Sequence, residues 1–194
     1  MIQRLVGSEM CIRDRVKGPS STLFGSEAMA GLINVITKNV DCLPKVSIDF
    51  MASSWGEIQT SLLVKTINNK RIKSFLTFDI FDYSNPIDNN ADGFTDLSLR
   101  KRYTFFNKMN FYSLKNPDNP FKLSLRFMNE NRWGGQMNWN ESFRGSNQLY
   151  GESILTDRVE VGTSYRFPTK ERLTWNSSYS CLLYTSPSPR DAES

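Results

Sequence analysis

The sequence predicts an all-β chain: about seven antiparallel strands with the marks of a partial transmembrane β-barrel. Three observations carry this. Polar and apolar residues alternate from Lys45 onward, short turns alternate with long loops, and aromatic residues gather at strand ends.

The alternation is clearest in FKLSLRF, where Phe121, Leu123, Leu125 and Phe127 share one face and Lys122, Ser124 and Arg126 the other. In RVEVGTSYRF, Val159, Val161, Thr163, Tyr165 and Phe167 oppose Arg158, Glu160, Gly162, Ser164 and Arg166. Successive strand side chains point to opposite faces, so period two is the strand signature. Noisier versions complete a set of strands near 45–54, 57–66, 71–82, 101–112, 120–131, 157–167 and 171–180.

The turns INNK, SLKNPDN and PTK are short and polar, whereas the connections at 83–100 and 132–156 are long. The connection around Trp55 is short but falls on the long-loop side. Strands of about ten residues with short turns at one rim and long loops at the other match an outer-membrane barrel. Phe111, Phe121 and Phe167 stand at the turn ends, and Trp55, Tyr83 and Trp133 at the loop ends, as two interfacial girdles require. Alternation alone leaves a soluble antiparallel sheet level with a barrel, because both have one apolar face.

Composition removes several chemistries. There is no histidine, which excludes Ser-His-Asp and Cys-His catalysis and the commonest zinc ligand. No catalytic residues are assigned, and the chain reads as a non-enzyme. The net charge is +4, with basic residues scattered along the alternating segments, so no nucleic-acid footprint is expected. No apolar run approaches the roughly 20 residues of a membrane-spanning helix.

The two ends read as foreign. One codon choice for Cys181–Asp191, taken as its reverse complement, encodes Leu-Val-Gly-Ser-Glu-Met-Cys-Ile-Arg-Asp, the run from Leu5 to Asp14. That DNA has the look of an inverted sequencing-library adapter. Residues 1–15 and 181–194 are therefore expected to be adapter translation and are set aside from fold reasoning. Without them Cys42 is alone, so no internal disulfide framework is available.

Before the strands comes VKGPSSTLFGSEAMAGLINVITK, Val16–Lys38. Gly18-Pro19 and Gly25 punctuate turns, SEAMAGL has room for one helical turn capped by Ser26, and LINVIT is a short strand apolar on both faces. In order, Gly18, Pro19, Gly25, Gly31 and Asn34, with Val16, Ser21, Leu23, Ala28, Ile33, Val35, Ile36 and Thr37, resemble the end of the plug of TonB-dependent outer-membrane receptors. Phe24 and Ala30 depart mildly from that pattern.

The resemblance implies that 16–40 is the C-terminal end of a plug and 41–180 the first seven strands of a 22-stranded barrel in the outer membrane of a Gram-negative bacterium. It implies active import of a scarce small molecule or metal chelate, such as an iron-siderophore or cobalamin. It also implies two partners: outer-membrane lipid, and the TonB energy-coupling complex acting through an N-terminal region outside this segment. The alternative is a soluble β-sandwich, a carbohydrate-binding or adhesive module. A barrel enzyme is a further class, made difficult by the missing histidine.

Two loops carry candidate sites. DNNADGFTD offers Asp88, Asn90, Asp92 and Asp96 in the spacing that opens a calcium loop, but Leu99 stands where the bidentate Glu belongs. The incomplete motif weighs toward a plain Asn/Asp/Gly loop, with calcium the sole cofactor considered. The second loop concentrates Arg132, Trp133, Trp139, Arg144 and Tyr150, residue types enriched at binding hot spots. Loop packing and membrane anchoring are the blander roles for the same residues, and the favoured ones.

Overall fold

The structure is a computed structural model that describes residues 10–17, 31–37, 39–114, 118–144, 146, 148–169 and 173–185. It divides at Pro44 into two units. In the first, β1 (Met10–Lys17) pairs antiparallel with β2 (Gly31–Thr37), and a single 3-10 turn follows at Val40–Cys42. Strand β2 is the expected LINVIT strand and holds Gly31 and Asn34. Gly18, Pro19, Gly25 and the expected helical turn at Ser26 lie outside the described residues.

The second unit is one seven-stranded antiparallel sheet: β3 (Val46–Ala52), β4 (Ile58–Asn68), β5 (Ile72–Tyr83), β6 (Leu99–Phe111), β7 (Phe121–Gly135), β8 (Gly151–Arg166) and β9 (Thr174–Thr185). Each strand pairs with its neighbour in sequence, so the sheet is an open meander with β3 and β9 at its edges. All seven expected strands are present. The bounds differ at β7, which continues to Gly135, at β8, which begins at Gly151, and at β9. Strand β9 runs on through Cys181–Thr185; ladder pairing uses backbone groups common to every residue, whatever the origin of the codons.

The register sorts the side chains into two unlike faces. One row crosses six strands as Ile48, Leu62, Phe78, Phe105, Phe127 and Val159. The adjacent row, on the opposite face, reads Asp49, Ser61, Asp79, Thr104, Met128 and Arg158. The apolar row is the open one: Ile48 is 68% exposed and Phe127 47%, while Asp79 retains only 7%. A water-soluble sheet buries its apolar face, and here that face is uncovered in this unit.

Candidate functional site

Two features stand out, the exposed apolar face and a cap built by the long loops. The apolar face has definite limits along the strands. At the turn rim, Ile72, Phe111 and Phe121 lie in register, and Tyr165 pairs with Trp175. The rings touch in sequence: Phe111 to Phe121 at 6.2 Å, Phe121 to Tyr165 at 6.5 Å, and Tyr165 to Phe167 at 5.0 Å between centroids. Toward the loops the face ends at the polar row Asp82, Lys101 and Asn131. From Ile72 to Ile80 is roughly 27 Å of strand, or roughly 21 Å along the axis at a tilt of about 40°.

The opposite face carries charged groups along the strands, several of them ion-paired. Arg126 lies opposite Glu160 with a 3.5 Å ion pair, and Arg158 also meets Glu160. Glu130 receives Arg132 at 3.0 Å and Arg102 at 3.8 Å. Arg100 and Arg102 both stack on Phe81, at 4.4 and 5.5 Å from its ring centre.

Beyond the polar row, the loops 84–98 and 136–150 fold together. Thr95 N–H donates to the Gly135 carbonyl at 2.8 Å, Gly135 N–H returns to Thr95 Oγ1 at 3.2 Å, and Met137 N–H donates to the Gly93 carbonyl at 2.9 Å. Glycine is required at the join. Gly135 sits at φ +147°, and a Cβ there would lie 2.5 Å from Gly151 Cα; one on Gly151 would strike the Trp139 indole.

The Asp/Asn loop turns its oxygens on its own backbone. Asp88 accepts from the N–H groups of Asp92 (3.2 Å) and Gly93 (2.9 Å), Asp92 from Phe94 (2.8 Å), and Asp96 from Asn89 (2.9 Å). Asn90 Nδ2 donates to Asp92 Oδ2 at 2.9 Å. These are Asx-type turns, and Ala91 and Gly93 supply the positive φ angles. Among the described residues no group of three or more His, Cys, Asp or Glu is arranged to hold a metal ion.

Of the five residues singled out in the second loop, Arg132, Trp133 and Tyr150 line one hollow, and Trp133 and Trp139 share a buried cluster. Trp133 and Trp139 are buried with Phe81, Tyr83 and Leu99, and Phe143 and Leu149 pack against them. Two of the expected loop-end aromatics, Tyr83 and Trp133, are therefore covered, while Trp55 remains half exposed. Arg144 is fixed by Ser153 Oγ at 2.7 Å and Asn131 Oδ1 at 3.2 Å. Arg132, Trp133 and the exposed Tyr150 line a hollow of about 310 Å³ with Thr95, Ser98, Glu152 and Ile154. A second hollow of about 230 Å³, on the other side of Gly134–Gly135, is lined by Trp139, Met137, Pro86 and Glu141.

Arg100 and Arg102, inside a strand-like run, stand in register with Arg132 and Glu130, a pairing that no local sequence signal announces. Comparison with known proteins returned no matching family model, no matching curated protein and no matching solved structure. Among the described residues no helix is long and apolar enough to cross a membrane, which says nothing of a β-barrel.

Proposed function

We propose that this chain is a piece of a TonB-dependent outer-membrane receptor that imports a scarce ligand, with 16–40 ending its plug and 41–180 forming its first seven wall strands. The observation that carries the reading is the two-sided sheet: large apolar side chains are exposed on one face, and ion-paired arginines and carboxylates share the other with the buried Leu63, Phe75 and Phe106. In a barrel wall the apolar face meets lipid and the polar face lines the interior. The band of roughly 21 Å, with its aromatic row at the turn rim, is close to the ~25 Å apolar band of outer-membrane barrels.

The plug resemblance of Val16–Lys38 supplies the specific family, and the strand meander beginning at Val46 agrees with what should follow a plug. A soluble sandwich would require a second sheet over the row from Ile48 to Val159. On this reading 1–15 and 181–194 are adapter-derived. The bound ligand is a small molecule or metal chelate held on the loop side, and energy comes through a TonB box upstream.

The test is recovery of the complete reading frame from the source DNA. A signal peptide, a TonB box and the remaining plug ahead of Val16 are expected. A catalytic or adhesin domain ahead of Val16 would overturn the proposal.

A further inference from the structure

We propose that the hollow beside Gly134 binds a neutral polyhydroxylated ring, a sugar, at the loop end of the charged face. This deepens the receptor reading, and rests on it for the side from which the ligand arrives. The hollow begins with a missing side chain. Gly134 stands opposite Glu152 in the β7–β8 register and sets nothing against it on that face. A Cβ built on Gly134 would lie 3.4 Å from Thr95 Oγ1 and 3.6 Å from Ser98 Cα, both residues that line the hollow. Arg132 and Ile154 form the next register pair on the same face, and Tyr150 lies just ahead of β8. The volume of about 310 Å³ is at the small end of the ~300–1,000 Å³ range of ligand clefts, which suits a ligand of one or two rings.

The lining fits hydroxyl groups better than charges. It carries one charge of each sign, Arg132 and Glu152. Arg132 is already ion-paired with Glu130 at 3.0 Å, so an anion would have to displace a carboxylate, and a cation would meet Arg132 beside Glu152. A neutral diol meets neither cost: its hydroxyls donate to the exposed Glu152 carboxylate and accept from guanidinium N–H groups that Glu130 leaves open. The Arg132 side chain is still 40% exposed. Ser98 is exposed as well, and Thr95 Oγ1, which accepts from Gly135 N–H, keeps a proton to donate. Tyr150 supplies the apolar contact. It is 57% exposed, and Phe94 braces its ring in an edge contact at 6.2 Å between centroids. A braced aromatic ring offers rigid apolar surface to the C–H face of a sugar at low entropic cost.

The experiment uses the complete reading frame containing this segment, folded in lauryldimethylamine oxide, a detergent without a sugar head. The β-sheet circular dichroism of every variant is checked first. Glucose, galactose, mannose, xylose, N-acetylglucosamine, maltose and cellobiose are titrated by saturation-transfer NMR and calorimetry, with citrate and spermidine as charged comparators. Saturable binding of at least one sugar is expected, weakened about tenfold or more in Tyr150→Ala, Glu152→Ala and Gly134→Val, which fills the space and leaves every polar group in place. Binding should be largely retained in Tyr150→Phe, which keeps the ring, and unchanged in Arg166→Gln, at the turn end of the same face. No saturable sugar binding to the folded wild type, equal binding in all variants, or binding of citrate or spermidine alone would overturn the proposal. The sequence upstream of Val16 tests the receptor reading separately, so failure here would leave that reading standing.

Discussion

Phe78 lies directly opposite Phe105 in the β5–β6 register, and both rings stand on the open side of the sheet, 38% and 39% exposed. One residue along, Thr77 pairs with Phe106 on the other face, and these are 0% and 5% exposed. A single step along the strand thus moves from uncovered hydrocarbon to a packed interior. That inversion sets what the chain does in water.

Expressed by itself, the chain should be insoluble or misfolded. Edges β3 and β9 present unpaired backbone groups, and the apolar row has no cover. Size-exclusion chromatography and chemical denaturation check this; a soluble monomer with one cooperative unfolding transition would contradict it.

Gly151→Ala should damage the loop cap. The added methyl meets the Trp139 ring, which is packed in a buried cluster and has little room to yield. Overpacking of this kind costs about 1–3 kcal/mol. In the folded complete protein, limited proteolysis within 136–150 should accelerate, while the sheet's circular dichroism stays unchanged.

Asp88→Ala should loosen the 84–98 loop by about 1 kcal/mol or less, since the two backbone N–H groups that lose their acceptor are exposed to water and Asp92 N–H keeps Asn90 Oδ1. Millimolar calcium should leave the thermal unfolding of the wild type unchanged, because the carboxylates already serve the backbone. Differential scanning calorimetry with and without calcium checks both; a calcium-dependent rise in Tm that Asp88→Ala abolishes would restore the calcium reading.

Phe127→Asp and Arg126→Asp should differ although they are neighbours. The first places a charge on the face read as lipid-facing, at a cost of up to about 2–4 kcal/mol near the midplane, less for an acid than for a base. The second leaves Glu160 facing a like charge on the polar face, where water can screen it. Folding yield into lipid vesicles should fall further for Phe127→Asp.

Much of the sheet was legible because alternation is a local signal. FKLSLRF and RVEVGTSYRF announce β7 and β8, and their face assignment follows directly from period two. The extension to Gly135 and Gly151 was not legible, since RWGGQ has no alternation and depends on what lies across the ladder. Nor was the joining of the two loops, whose link from Thr95 to Gly135 spans distant sequence. The grouping of five residues in one loop is met only in part: Arg132, Trp133 and Tyr150 line one hollow, whereas Arg144 is held by Ser153 and Asn131. Arg100 and Arg102 show the converse, two strand residues whose meaning comes only from their partners.

The most direct test attaches a nitroxide to a cysteine at position 105 or 106 of the complete protein, freed of its own cysteines and reconstituted in lipid vesicles. The account predicts that the label at 105 collides with oxygen dissolved in the bilayer and is shielded from a water-soluble nickel chelate, and that the label at 106 is not lipid-accessible. Equal accessibility at the two positions, or a label at 105 reached mainly by the nickel chelate, would contradict it.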